Sequence, residues 1–277
     1  MSGPAKPGGD LARFTGMIDL GIRERLAGAP GLAPLAEARD ALLQRVAIAA
    51  EDCPDDVAGP PVRRMLGELE WVVEPFRRIV RKHETVSARH PRTVMLLPGF
   101  ATHPVRMRYM ARRLEAAGHT VKRWGLGFNW GPTRDNIARL ECRLDDLAER
   151  HGEPVYLVGW SLGGLFAREL AKRRPDSVAK VVTMGSPFSW SPRANNVWRA
   201  YHFVTGHRVE EPPVDIELAA KPPVETIALW SPRDGIVHPR AACGAPGERD
   251  RAVALRCTHM GFAYDPQAIA AVLRELD

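Results

Sequence analysis

Cysteine is scarce in this chain. Its 277 residues include four, Cys53, Cys142, Cys243 and Cys257, and no two of them form a C-x-x-C pair. That argues against a zinc site and offers no disulfide framework, so reduced thiols in a cytoplasmic protein are the expectation. Long hydrophobic runs are missing too. Nothing reaches the roughly 20 apolar residues of a membrane span, and the Gly/Pro-rich start, Met1 to Asp10, leads into no apolar run of signal length. Neither a span nor secretion by the usual route is expected. Charge of one sign does not dominate either. The formal charge of +6 and pI near 9.4 come from 39 basic residues interspersed with 33 acidic ones, and no basic motif is interleaved with aromatics. No nucleic-acid partner is expected; a weak peripheral attraction to anionic membranes is the most this charge supports. Oligomeric state is left open.

Hydrophobic residues make up 45% of the chain, enough for one large α/β domain with an appendage. Residues 1–10 read as a disordered N-terminus and 11–90 as a helical extension. Within the extension, Leu11, Phe14, Ile18, Ile22 and Leu26 recur at helical spacing. A second helix is predicted from about Leu35 to Ala50. After the break at Pro54, Pro60 and Pro61, the stripe Leu66, Leu69, Val73, Phe76 and Val80 predicts a third helix packed on the main domain.

From residue 91 onward strands and helices alternate, as in a parallel sheet covered on both faces. Six strands are predicted, at 94–97, 119–124, 155–158, 178–184, 224–230 and 252–257, and Asp265-Pro266 opens the closing helix. Between 186 and 223 the alternation is interrupted for longer than a strand connection needs, which reads as a cap insertion. Its stretch 192–205 looks helical, with Val197, Trp198, Tyr201 and Val204 on one side.

The chain is organised around Pro154-Val-Tyr-Leu-Val-Gly159-Trp160-Ser161-Leu162-Gly163-Gly164, an apolar strand that turns through a serine into a helix. A hydroxyl is a weak nucleophile and must be projected from a tight strand-to-helix turn, which requires small residues two positions to either side; Gly159 and Gly163 occupy them. Such a serine also needs a base and an acid that orients it, and in open α/β sheets these belong at the carboxyl ends of strands. Asp234, on the loop after strand 224–230, is the candidate acid. His259, on the loop after the last strand, is the candidate base; His238 follows Asp234 too closely, and Asp265 fits a helix cap better. For the oxyanion, the backbone N–H of Leu162 and of Phe100, which follows Gly99, are the candidate donors. Trp160, Trp198 and Tyr201 are candidate pocket residues.

From Arg92 to Asp277 the chain resembles the lipase/esterase-like serine hydrolases of the α/β-hydrolase superfamily. The elbow carries the resemblance, along with Gly185-Ser186-Pro187, Asp234-Gly-Ile-Val237 and His259-Met-Gly261, in the chain order Ser, Asp, His. Pro98-Gly99 departs from the usual His-Gly of the oxyanion loop. The resemblance implies a roughly six-stranded, trimmed parallel sheet with helices on both faces, a helical cap insertion and a helical N-terminal extension. It also implies hydrolysis of a small-molecule or lipid-like carboxylic ester, with Ser161 as nucleophile, His259 as base and Asp234 as orienting acid, and with no metal or cofactor. Thioesterase, amidase and polyester depolymerase activities would use the same residues, and a non-catalytic binding protein on this fold is the remaining alternative.

Overall fold

Two kinds of apolar run shape the computed structural model, which describes residues 33–70, 72 and 87–277. The first predicted helix, the disordered start, and Val73, Phe76 and Val80 of the third helix lie outside the described residues. The chain divides into two compact units between Ala47 and Ile48, whereas the composition shift in the sequence falls near residue 90. Helix α1 spans Ala33–Ala49, close to the predicted bounds.

In the second unit, short apolar runs form a six-stranded sheet in the order β2-β1-β3-β4-β5-β6, every pair parallel. The strands are β1 (Thr93–Leu97), β2 (Thr120–Arg123), β3 (Val155–Trp160), β4 (Val178–Met184), β5 (Glu225–Trp230) and β6 (Arg251–Ala254). All five residues of β1 are buried, as a central strand covered on both faces requires. Alternation along the strands sorts their side chains into two layers. Val94, Leu96, Val158, Val182, Met184 and Leu229 pack with α2 (Arg108–Ala116) and the C-terminal helix α7 (Pro266–Leu276). Met95, Leu97, Val155, Leu157 and Val181 pack with α3 (Arg134–His151) and α4 (Leu162–Arg173). Helix α7 starts where Asp265 accepts from the Gln267 N–H at 2.8 Å.

Two segments differ from expectation. Only Trp198–Thr205 of the cap is helical (α5). Asn195 forms an isolated antiparallel bridge with Val237, and its amide side chain bonds the Pro192 carbonyl and the Val197 N–H; these bonds hold 192–197 out of the helix. The predicted third helix begins as a 3₁₀ helix, Val62–Leu69. Three residues per turn change which side faces inward: Leu66 and Leu69 are exposed, and Glu68 is the buried residue. The expected packing of that apolar stripe on the main domain is therefore not found at these two positions. After β5, a short helix α6 (Pro239–Cys243) follows His238.

The cap is tied to the stretch that follows α1. Arg193 and Arg208 both donate to the Glu51 carboxylate, at 2.8 and 2.7 Å. His202, fully buried, places Nδ1 2.9 Å from the Ile48 carbonyl while its Nε2 accepts from the Val209 N–H. That pairing fixes the neutral Nδ1–H tautomer.

Candidate active site

At the carboxyl end of β3 the backbone makes an abrupt turn. Ser161 has φ 54° and ψ −123°, a conformation that costs a non-glycine residue about 1–3 kcal/mol and persists only where its surroundings impose it. Those surroundings are close backbone contacts. A Cβ at Gly159 would collide with the Gly163 carbonyl, and one at Gly163 with the Leu97 carbonyl. Small residues are needed at both positions because α4 leaves the sheet so sharply. The Ser161 hydroxyl makes no hydrogen bond to a described residue and lines two adjoining hollows.

The structure brings the acid and base candidates together. His259 Nδ1 lies 2.8 Å from Asp234 Oδ2, with both side chains almost fully buried. Asp234 is fixed by its own loop, its Oδ1 accepting from the N–H groups of Ile236 and Val237 at 2.8 Å each. The Ser231 hydroxyl, bonded to the Cys257 carbonyl at 2.5 Å, joins the loop that carries Asp234 to the loop that carries His259. Burial alone would lower the His259 pKa, but the charge and hydrogen bond of Asp234, with the charge of Glu68 behind them, raise it above its ordinary value. With Nδ1 held by the carboxylate, Nε2 is the nitrogen left to accept a proton. Ser161 and His259 line one cleft together with Gly99, Phe100, Trp160 and Met260. His238 stands apart, its ring against Trp190 and its Nδ1 accepting from the Arg240 N–H.

Neither the Phe100 nor the Leu162 N–H donates to another described residue, and both residues line the cavity that Ser161 reaches. Leu162 is the first residue of α4, so its N–H is one of the unpaired donors at a helix start. The loop that carries Phe100 is held by Asn129, fully buried. Its Nδ2 donates to the Pro98 carbonyl at 2.8 Å and its backbone carbonyl accepts from the Ala101 N–H at 2.7 Å. Sequence reasoning did not single out Asn129, which sits in a turn-rich loop with no motif of its own.

One of the two hollows takes in about 730 Å³ of non-atom space, its open mouth included, and its walls are almost wholly apolar. Val197, Trp198 and Tyr201 of the cap form one side, and Leu162, Leu165 and Phe166 of α4 another. Trp198 and Tyr201 both line the hollow that Ser161 reaches. Tyr201 also packs on the Phe100 ring, centroids 5.2 Å apart. Trp160 does not line this cavity. Its ring sits in the sheet core and its Nε1 donates to the His259 carbonyl at 3.0 Å, so it touches only the cleft that Ser161 and His259 share.

Residues 147–206 match the family model described as alpha/beta hydrolase fold. Among solved structures, a monoacylglycerol lipase from Paleococcus ferrophilus is 19% identical, aligning over 69% of this chain and 94% of its own, with a TM-score of 0.49. Naproxen esterase from Bacillus subtilis is 15% identical over 69% and 86%, TM-score 0.46. A thioesterase domain from the curacin biosynthetic pathway is 14% identical over 69% and 92%, TM-score 0.45. No curated protein sequence matches the chain significantly. The family match spans the serine turn, β4 and the whole cap helix, and lies within a six-stranded parallel sheet: over residues 147–206 the chain is similar to the alpha/beta hydrolase fold.

Proposed function

We propose that this protein hydrolyses carboxylic esters by acyl transfer through Ser161. The observation that carries the reading is the buried 2.8 Å contact between His259 Nδ1 and Asp234 Oδ2, in a cleft shared with a strained serine whose hydroxyl has no hydrogen-bond partner among the described residues. In this mechanism Ser161 Oγ attacks the ester carbonyl as His259 Nε2 takes its proton. Asp234 holds the imidazole in the required tautomer and stabilises the imidazolium. The N–H groups of Phe100 and Leu162 receive the oxyanion, a contribution of about 10² to 10³ in rate for each such donor. His259 then protonates the departing alcohol, and water releases the acid by the same steps.

The apolar cavity beside Ser161 suits an acyl chain or another hydrocarbon group. Each methylene buried there contributes up to about 0.8 kcal/mol. The serine, base and acid set serves an oxygen ester, a thioester or an amide alike, so the apolar walls bear on the hydrocarbon part of the substrate and not on its leaving atom.

The direct test pairs turnover of p-nitrophenyl esters of increasing chain length with labelling by a fluorophosphonate. Turnover and labelling together are expected. Labelling without turnover would direct the search to thioesters or amides, and the absence of both would favour a binding protein.

A further inference from the structure

Glu68 belongs to no strand end and to no part of the serine turn, yet it is buried against both loops that bear Asp234 and His259. Its Oε1 accepts from the N–H of Gly235 and from the N–H of His259, each at 2.8 Å, and its Oε2 accepts from the N–H of Met260 at 2.8 Å. Among the described residues it forms no ion pair. A buried carboxylate without a cation is costly, and charge-assisted bonds to three aligned amides are what make it tolerable. One of those amides belongs to His259 itself and another to the residue after Asp234. Packing around the contact is tight: a Cβ at Gly235 would stand 2.6 Å from the Arg64 carbonyl and 3.0 Å from Glu68 Oε1.

We propose that Glu68 is a positioning residue, whose carboxylate locks the acid loop and the base loop in register and whose charge acts on the His259 ring. The 3₁₀ helix that precedes the sheet thereby completes the site. This rests on the hydrolytic reading above. The charged groups that face His259 from packed elements are Asp234 and Glu68, and both favour its protonated form. Cys257 and Asp265 stand on its own loop, while Arg233 and Glu70 pair with each other at the surface.

Two substitutions separate position from charge. Glu68→Ala removes both, while Glu68→Gln keeps an oxygen for the Gly235 and His259 amides, gives up only the Met260 bond and removes the charge. Misplacing a catalytic group by about 1 Å costs on the order of 10²-fold, so Glu68→Ala is expected to lower kcat by about that factor with KM little changed. Glu68→Gln should restore most of kcat while moving the acid limb of kcat/KM to lower pH. The titration of His259, followed by NMR in protein carrying ¹³C-labelled histidine, should move the same way. Glu68→Gln carries the test alone if Glu68→Ala fails to fold.

An unmoved His259 titration in folded Glu68→Gln would overturn the proposal, as would a folded Glu68→Ala with wild-type kcat and an unshifted acid limb, even if its melting temperature fell. Should the wild-type protein neither turn over esters nor label, the hydrolytic reading fails on its own. The NMR titration then still decides whether Glu68 acts on His259, a downward shift supporting it and no shift overturning it.

Discussion

Gly185 lies against the contact between His259 and Asp234. A Cβ built on it would stand 3.0 Å from Asp234 Oδ2 and 3.1 Å from His259 Nδ1, and its φ of 57° is one that side chains seldom adopt. The turn after β4 is therefore shaped by the pair it abuts. Gly185→Ala should lower kcat by on the order of 10²-fold by pushing that pair out of register. It should also destabilise the protein, by about 1–3 kcal/mol for the strained backbone. Activity and a urea melt check both; wild-type values in each would show that the turn yields without disturbing Asp234 or His259.

The acid and base assignments predict a pattern across four variants. Asp234→Asn and His259→Ala should each lower kcat by roughly 10³-fold or more with an unchanged circular dichroism spectrum. Asp176→Asn, in the 3₁₀ turn before β4, and His238→Ala, whose ring packs on Trp190 away from Ser161, should leave kcat within about twofold. An inactive His238→Ala beside an active His259→Ala would exchange the roles of the two histidines.

The pH dependence has a definite sign. As the proposed base His259 would act only when neutral, and its pKa is raised because the Asp234 and Glu68 charges, with the Asp234 hydrogen bond, outweigh the effect of burial. The kcat/KM profile should therefore fall on acidification with a midpoint above the ordinary histidine value of about 6.5. Asp234→Asn should move the residual midpoint downward. A midpoint at or below the ordinary value would mean that burial wins and the carboxylates contribute less than their positions imply.

Chain-length preference tests the cavity. Preference should rise from acetyl to medium acyl chains and level off where the apolar walls end. Leu218→Trp, which fills part of that space, should shift the optimum toward shorter chains by a few methylenes, each worth up to about fourfold in affinity at 0.8 kcal/mol. Trp198→Ala should flatten the rise with acetyl turnover nearly kept. Tyr201→Ala is a less clean probe, because its ring packs on Phe100, a proposed oxyanion donor. Equal loss of acetyl and octanoyl turnover in Leu218→Trp would place the acyl group elsewhere.

Much of this arrangement was legible in the sequence because parallel sheets put their carboxyl ends on one edge. Once β3, β5 and the last strand could be seen as apolar runs, Ser161, Asp234 and His259 were bound to lie on loops at that edge, and the glycines flanking Ser161 reported a backbone too close for side chains. Glu68 carried no such signal. Its partners are backbone amides 167 and 191 positions away, which leave no mark on side-chain identity, and its neighbours Leu66 and Leu69 suggested an α-helical stripe that the 3₁₀ geometry turns outward. Asn129 was hidden for the same reason, since it bonds main-chain groups of Pro98 and Ala101. In the cap, 192–197 holds only two good helix formers, Arg193 and Ala194, and the side-chain and bridge bonds of Asn195 compete with the helix there.

The measurement that bears most directly on the central claim is fluorophosphonate labelling of wild-type and Ser161→Ala protein, followed by intact mass and peptide mapping alongside p-nitrophenyl ester turnover. Acyl transfer through Ser161 predicts one adduct per chain, mapped to the 155–170 peptide, lost in Ser161→Ala together with about 10⁴ to 10⁶ of kcat. An adduct on another residue, or a Ser161→Ala preparation that still turns over ester at the wild-type rate, would contradict it.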